Sequence, residues 1–304
     1  MGGAGGASTT AGTGGAACPA CITVAALPTG SQPYGLFVDA DHLYWTHFGT
    51  GEVMQANLDG SSPITLRQGE MAPVSVQARG GFVYWVSYSE TGVARRAPVG
   101  GGPVEDLAPA PAARELFVGQ DFMWWTGEPD DVWRAPRAGL ADGGAPDLLT
   151  NNVLSNGITA DDTGVYWVNR FDGRVKKADH ALGNETILAN GDVPWDIVVD
   201  ATRIYWTEQG SKPGAGKVMS ASKIDGAGAT MIAAEPRGPQ GLAIDASRVY
   251  WANKVEGTIK SAPLAGGAVS VLAAGQAHPV NVAVDGTFVY WTSMGGDAIV
   301  KIPK

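Results

Sequence analysis

The stretch that decides the fold is residues 33–69, PYGLFVDADHLYWTHFGTGEVMQANLDGSSPITLRQG. In it, short β-branched or aromatic runs are separated by Gly, Asp and Pro, which is the pattern of strands joined by turns. The aromatic pair at its centre returns at intervals of 40, 40, 42, 39, 45 and 40 residues along the 304-residue chain. The copies are Tyr44-Trp45, Tyr84-Trp85, Trp124-Trp125, Tyr166-Trp167, Tyr205-Trp206, Tyr250-Trp251 and Tyr290-Trp291. A regular period of this length, with one aromatic pair in each unit, predicts a β-propeller.

The repeat predicts an all-β fold, a seven-bladed β-propeller with four antiparallel strands in each blade. The first strand of a unit, such as 36–38 or 282–284, is apolar without alternation, as expected for a strand covered on both sides by neighbouring blades. Tyr and Trp are adjacent, so they point to opposite faces of their strand, and we expect both to fill cores between blades. An Asp ends the first strand in five units and is expected to cap the turn that follows. These residues are Asp39, Asp161, Asp200, Asp245 and Asp285.

The two ends of the chain are predicted to close the ring together. The last unit stops at Lys304 after its third strand, 298–302, and therefore lacks a fourth. Residues 22–27, ITVAAL, precede the first unit and are similar to the fourth strands of other units, such as 269–272. We expect 22–27 to complete the C-terminal blade, which leaves no open sheet edge between the first blade and the last.

Composition limits the classes of partner and the compartment. A net charge of -9 argues against nucleic-acid binding, and no run of about 18 apolar residues predicts a transmembrane segment. Residues 1–17 are nearly all Gly, Ala, Ser and Thr, so we expect a flexible linker before a single domain, 18–304. Such a linker is either an ordinary tail or the tether that follows the lipid-bearing cysteine of a lipoprotein. The Cys18-Pro-Ala-Cys21 sequence is expected to be a local disulfide or two inert thiols, because neither a redox helix nor a second metal-binding pair accompanies it.

The Tyr-Trp-Thr triplets at 44–46, 205–207 and 290–292 resemble the YWTD propellers of lipoprotein-receptor ectodomains. Those usually have six units, and here the residue after the triplet position is never Asp. The sequence is more similar to the YWT-repeat propellers of secreted bacterial lipoproteins, over residues 22–304. The resemblance implies an extracytoplasmic protein, secreted, periplasmic or tethered to the cell surface, and it implies no activity.

One face of the predicted propeller collects aromatic residues that the core pattern does not require. The first strands begin on this face, and the loops after Tyr-Trp-Thr lie there as well. It carries Tyr34, Phe48, Tyr88 and Trp195, with His47 beside them. Aromatic rings next to polar side chains are typical of binding surfaces. We expect a non-catalytic binding or scaffold propeller, a monomer, that engages a protein, peptide or glycan through these residues. A spacer with no concave site is a further alternative.

The same face carries oxygen-bearing side chains that several strands bring toward the central axis. Glu115, Asp196, Glu208 and Asn281 are the candidates for holding Ca²⁺ or Mg²⁺. The alternative function is therefore a metal-dependent hydrolase or lyase, because lactonase and lyase propellers bind an ion in this way. A hydrated acidic rim without an ion, and so no cofactor, is the simpler expectation. No catalytic residue is assigned, because the sequence has neither a G-x-S-x-G nucleophile motif nor a His-x-x-x-His pair.

Overall fold

The described residues form seven four-stranded antiparallel sheets. The structure is a computed structural model, and it describes residues 18–128, 131–141, 144–151, 155–180, 183–236 and 238–304. The predicted linker, 1–17, lies outside the described residues. The seven-bladed propeller predicted from the repeat is confirmed. In the described part of the chain, the helical structure is a 3₁₀ turn at Met294–Gly296, and no helix there is long and apolar enough to cross a membrane.

Each repeat unit builds one blade, and strand order within the blade follows chain order. Blades one and two comprise β2 Pro33–Val38, β3 His42–His47, β4 Val53–Asn57 and β5 Ile64–Arg67, then β6 Pro73–Arg79, β7 Phe82–Ser87, β8 Val93–Pro98 and β9 Glu105–Pro109. Blades three and four comprise β10 Ala113–Val118, β11 Phe122–Gly127, β12 Asp131–Pro136 and β13 Asp147–Asn151, then β14 Ser155–Asp161, β15 Gly164–Asn169, β16 Arg174–Ala178 and β17 Thr186–Asn190. Blades five and six comprise β18 Pro194–Val199, β19 Arg203–Glu208, β20 Gly216–Ser222 and β21 Thr230–Glu235, then β22 Pro239–Ile244, β23 Arg248–Asn253, β24 Thr258–Pro263 and β25 Ser270–Ala273. Blade seven comprises β26 Pro279–Val284, β27 Phe288–Ser293, β28 Ala298–Pro303 and the N-terminal β1 Ile22–Ala26.

Strand β1 closes the ring as predicted. It pairs antiparallel with β28, from Ile22 opposite Lys301 to Ala26 opposite Ala298. The carboxylate of Asp297 fixes the chain that leaves β1, since it accepts the backbone N–H groups of Gly30 and Gln32 at 2.9 and 2.8 Å. Before β1, Cys18 and Cys21 form a disulfide, which is one of the two states expected from the sequence. The two cysteines pack against the core between blades six and seven.

The Tyr-Trp pairs form the cores between blades, as the alternation of side chains predicted. The tryptophan of every pair is almost fully buried. Six hydrophobic clusters each join the Tyr of one blade to the Trp of the next; Tyr44, for example, packs in the cluster of Trp85. In blade three Trp124 takes the place of the Tyr and packs in the cluster of Trp167. The aromatic series is therefore the structural core of the ring and leaves the ends of the first strands to form a site.

The repeated Asp residues cap the turns after the first strands, which confirms their predicted role. Asp245 accepts the backbone N–H groups of Ser247 and Arg248 at 2.8 and 2.9 Å. Its other oxygen accepts the hydroxyl of Tyr250 at 2.7 Å, so the turn is also tied to the aromatic pair of its own blade. The same Tyr–Asp hydrogen bond occurs at Asp39, Asp200 and Asp285.

The threonine of the Tyr-Trp-Thr triplet links neighbouring blades at the opposite face. Thr207 accepts the N–H of Asp196 from its own blade at 3.1 Å and donates to the carbonyl of Gln240 in the next blade at 2.9 Å. Thr292 does the same with Asn281 and with Tyr34 of the first blade, at 3.1 Å in both cases. Buried hydroxyls at this position therefore fix the backbone where the first strands begin.

Candidate functional site

A cavity of about 230 Å³ lies where the first strands converge, and we call it the mouth cavity. Its walls come from the starts of first strands and from loops that follow second strands, so residues far apart in the sequence meet there. The aromatic part consists of Tyr34, Phe48, Tyr88 and Trp195. The polar part consists of Arg114, Glu115, Asn156, Asp196 and Asn281. The structure thus places seven of the nine candidate residues from the sequence on one cavity.

The four aromatic residues differ in how much of each ring is free. Tyr34 and Phe48 lie with ring centroids 5.9 Å apart and also pack against the hydrophobic core between blades two and three. Tyr88 is 37% exposed and donates its hydroxyl to Glu128 at 2.8 Å. Trp195 is half-buried, and the guanidinium of Arg170 lies 5.1 Å from its ring centroid. The deep wall is therefore rigid, whereas Tyr88 and Trp195 form a more open rim.

Glu115 and Asp196 reach the cavity from blades three and five. Glu115 accepts the hydroxyl of Ser75, from blade two, at 2.7 Å. Asp196 accepts the backbone N–H groups of Ile197, its neighbour in the sequence, and of Leu242 in blade six, both at 2.8 Å. Each carboxylate is thus held by a hydrogen bond from an adjacent blade, which fixes its position at the central axis. Neither forms an ion pair with any cation of the described residues.

The electrostatics of this pair are unusual for acidic side chains. Burial by the surrounding strands raises the pKa of Glu115 well above the ordinary carboxyl range, and the nearby charge of Asp196 raises it further. Burial also raises the pKa of Asp196, despite the two backbone N–H groups that lower it. The effect extends to Tyr34, where burial and then the charge of Glu115 raise the pKa to about 12. The pair therefore holds protons more strongly than solvated carboxyls do, and a bound cation would favour its ionised form.

Two polar residues of the site were missed by the sequence reasoning, Arg114 and Asn156. Both stand one position before the residues 115 and 157, which the sequence singled out as the openings of first strands. Tyr34 and Trp195 occupy the same position in their own units and were selected only because they are aromatic. The position in the repeat could have identified Arg114 and Asn156, because the residue at this position lies near the start of a first strand, on the same face, in every unit.

His47 and Glu208 do not line the mouth cavity. His47 is 4% exposed, and its Nε2 accepts the indole N–H of Trp45 at 2.8 Å while Nδ1 lies 3.1 Å from Glu52. Burial lowers the pKa of His47, against the opposing effect of Glu52. Glu208 is 1% exposed and accepts the indole N–H of Trp206 at 2.9 Å. Residues two apart on a strand share a face, so both side chains are directed to the tryptophan of their own blade.

Below the mouth cavity the central channel continues as a second space of about 480 Å³. Its walls are mostly the apolar first strands, for example at Val76, Phe117 and Val198. Glu115, Asp196 and Asn281 line both spaces, so they separate a polar, aromatic mouth from an apolar interior. A ligand that enters from the mouth meets the carboxyl pair before the apolar channel.

The polar groups that could contact a metal ion in this cavity are Glu115, Asp196 and Asn281. Within the described ranges, no group of three or more His, Cys, Asp or Glu side chains is arranged to hold an ion. Two carboxylates and one amide oxygen would therefore have to be completed by water or by a ligand, as is common for Ca²⁺ and Mg²⁺.

No protein-family model matches the sequence. The fold is similar to that of virginiamycin B lyase from Staphylococcus aureus, with a TM-score of 0.77 and 15% identity over 93% of this chain and 98% of that one. A catalytically inactive variant of that lyase, in which one histidine is replaced by alanine, has also been solved with quinupristin. The similarity to it has a TM-score of 0.75 and 15% identity over 93% of this chain and 99% of that one. A chain in a nidogen/laminin complex gives a TM-score of 0.59 and 15% identity over 74% of this chain and 89% of that one. At these identities the similarity shows the propeller fold alone.

Proposed function

We propose that this protein is a non-catalytic binding propeller that engages a protein or peptide partner at the mouth cavity. The observation that carries the proposal is the convergence of four aromatic rings and a carboxyl pair, from different blades, on one concave site. Binding sites are concave and largely apolar, with a few polar groups that fix the orientation of the ligand. Tyr, Trp and Arg, all present here, are the residues enriched where protein interfaces bind most strongly.

The size of the cavity favours a protein or peptide over a free small molecule. At about 230 Å³ it is smaller than the roughly 300–1,000 Å³ of sites that enclose drug-sized ligands. A single side chain or chain end fits such a space, and the rest of the partner would lie on the surrounding rim. The half-exposed rings of Tyr88 and Trp195 suit that rim contact better than complete enclosure.

Two further observations support a binding propeller outside the cytoplasm. One structurally similar propeller chain belongs to a nidogen/laminin complex, which is an assembly of two proteins. The Cys18–Cys21 disulfide suits an oxidising compartment, in keeping with a secreted or surface-tethered protein.

The test is selection of peptides from a displayed random library, followed by affinity measurement on variants. We expect the selected peptides to lose about tenfold or more in affinity with Trp195→Ala and with Tyr88→Ala, as for aromatic residues central to an interface. The matched control is Phe171→Ala, since Phe171 is an aromatic residue on the same face, 71% exposed and outside the cavity lining. Equal affinities for all three variants would place binding elsewhere, and binding confined to a glycan array would replace the peptide by a sugar.

The second candidate is a metal-dependent hydrolase or lyase. It is supported by the presence of Glu115, Asp196 and Asn281 in one cavity and by the similarity to virginiamycin B lyase. However, the described lining contains no histidine, whereas replacement of one histidine accompanies the inactive lyase variant. A thermal melt after chelation, then with millimolar Ca²⁺ or Mg²⁺, separates the two functions. An ion at 100 times its Kd stabilises by about 2.7 kcal/mol, and a shift of that size, lost in Asp196→Asn, would favour the enzyme.

A further inference from the structure

A cation in the wall of the mouth cavity has a hydrogen-bond donor that nothing accepts. Arg114 lines the cavity, its Nη2 donates to Glu128, and its guanidinium lies 4.9 Å from the ring centroid of Tyr88. Its Nε is buried and has no hydrogen-bond partner in the described part of the chain. Buried polar atoms are nearly always paired, and an unpaired donor on a charged group is especially unfavourable. This nitrogen therefore favours a ligand that brings an acceptor.

A second guanidinium at the rim favours the same kind of ligand. Arg170 directly follows β15, and its guanidinium lies 5.1 Å from the ring centroid of Trp195, which lines the cavity. Its side chain has no hydrogen bond or ion pair with any residue that the structure describes. Burial opposes the ionisation of Glu128, but hydrogen bonds from Arg114 and Tyr88 and the charges of both arginines lower its pKa. Two arginines thus share one carboxylate, and a carboxylate from a ligand would balance the remaining charge.

The carboxyl pair at the inner end of the cavity is compatible with an anionic ligand. Burial raises the pKa of both Glu115 and Asp196, and the charge of Asp196 raises that of Glu115 further. Two buried carboxyls in one cavity therefore retain protons rather than ionise together. A protonated carboxyl donates an O–H, so at neutral pH the pair adds donors to those of Arg114.

We propose that the partner inserts a carboxylate into the mouth cavity, where Arg114 binds it and Arg170 contributes its charge at the rim. This inference rests on the proposed function. The carboxylate of an acidic side chain and that of a chain end have the same chemistry, and either fits a cavity of about 230 Å³. Hydrogen bonds between guanidinium and carboxylate are charge-assisted and roughly twice as strong as those between neutral groups. The apolar part of the inserted residue would contact the rings of Tyr34 and Phe48.

The experiment compares two acids with amides of nearly the same shape. Nα-acetyl-glutamate N-methylamide and its glutamine counterpart test a side-chain carboxylate, whereas Nα-acetyl-leucine and Nα-acetyl-leucinamide test a chain end. Binding to the full chain is measured by ligand-observed NMR at about pH 7, in a buffer without carboxylate or phosphate. We expect at least one acid to bind about tenfold tighter than its amide, and the pair that shows the preference identifies the source of the carboxylate.

Variants show whether the arginines of the site recognise the charge. Arg114→Gln should abolish the preference for the acid, and Arg114→Lys, which keeps the charge but lacks Nε, should retain only part of it. Arg170→Gln should reduce the preference about threefold, as for a charge at a solvated rim. Arg170 has no described hydrogen bond or ion pair to lose, so this variant should fold normally. The matched control is Arg79→Gln, which removes the same charge at the end of β6, on the opposite face, and should leave the preference unchanged.

The outcomes separate this inference from the proposed function. Peptides that need Trp195 and Tyr88, together with acids that bind no tighter than their amides, would overturn the carboxylate site and keep the binding propeller. Peptides indifferent to both aromatic substitutions would remove both. A preference for the acids that survives Arg114→Gln would also overturn the inference, because the carboxylate would then be bound elsewhere. The same conclusion would follow if neither acid bound at about 10 mM.

Discussion

The carboxylates in the turns after the first strands and the two at the inner end of the mouth cavity have pKa values that are shifted in opposite directions. In the turns after the first strands, the pKa values of Asp200, Asp245 and Asp285 are lowered. At the mouth, those of Glu115 and Asp196 are raised. Burial opposes ionisation in both places, and it does so more strongly for Glu115 and Asp196, which are desolvated more fully than the turn residues.

The carboxylates also differ in the donors that each receives. Asp245 accepts two backbone N–H groups and the hydroxyl of Tyr250, and it pairs with Lys304 at 2.7 Å. Glu115 accepts one hydroxyl, and Asp196 accepts two backbone N–H groups without a cation. A carboxylate with a full set of donors is a structural cap, whereas one with unused acceptor sites in a cavity is available to a ligand.

Removing the Asp that caps a turn should have the largest effect on the free energy of unfolding. Asp245→Ala removes the acceptor for two backbone N–H groups and for Tyr250, and we expect the free energy of unfolding to fall by about 3 kcal/mol. Urea denaturation followed by far-UV circular dichroism measures the change. Tyr250→Phe removes only the phenol hydrogen bond and should lower stability by about 1 kcal/mol. A loss for Asp245→Ala no greater than for Tyr250→Phe would contradict the capping role.

The threonine that positions Asp196 should give an intermediate effect. Thr207→Val leaves the N–H of Asp196 and the carbonyl of Gln240 without their buried partner, at a cost of about 2 kcal/mol. Valine fits at this position, because Val168 occupies it in blade four. Thr207→Ser keeps the hydroxyl and is the control in the same urea titrations. Similar losses for Val and Ser would show that packing, and not the interblade hydrogen bonds, stabilises this point.

Replacing a mouth carboxyl by an amide should have the smallest effect on the free energy of unfolding, and it should stabilise the protein at high pH where the preceding changes destabilise it. A carboxyl whose folded pKa is raised contributes stability below its unfolded pKa, near 4, and loses it as pH rises toward the folded pKa. Glu115→Gln should therefore be more stable than the unchanged protein by about 1 kcal/mol at pH 9, relative to their difference at pH 4. The measurement is a set of thermal melts across this range.

The matched variant on the opposite face is Asp245→Asn. Its folded pKa is lowered, so the stability it contributes is present above the unfolded pKa and is lost as pH falls. We expect its destabilisation to be full at neutral pH and to shrink on acidification. If both variants changed with pH in the same direction, the contrast between the two faces would be wrong.

Local patterns were sufficient for the fold. The spacing of the Tyr-Trp pairs predicted the blades, their adjacency predicted the cores between blades, and 22–27 predicted the closing strand. These features depend on short stretches of sequence within a unit or on its similarity to other units. They can therefore be recognised by comparing the copies of the repeat. The same register placed Glu115, Asp196 and Asn281 at the mouth, because every first strand begins on one face, whereas the preceding position, which holds Arg114 and Asn156, was overlooked.

The sequence by itself therefore determined the ring and a list of residues at its mouth, while only the tertiary structure decided which of them form a site. Glu208 stands directly after its Tyr-Trp-Thr triplet, at a position expected at the mouth, yet its carboxylate accepts the indole N–H of Trp206 and does not line the cavity. A Cβ at Gly157 would lie 2.7 Å from the Cα of Asp196 in the next blade, so glycine is required there for the blades to approach. Glu115 and Asp196 line one cavity although they come from nonadjacent blades. Their proximity depends on the curvature of the closed ring, which no local stretch of sequence encodes.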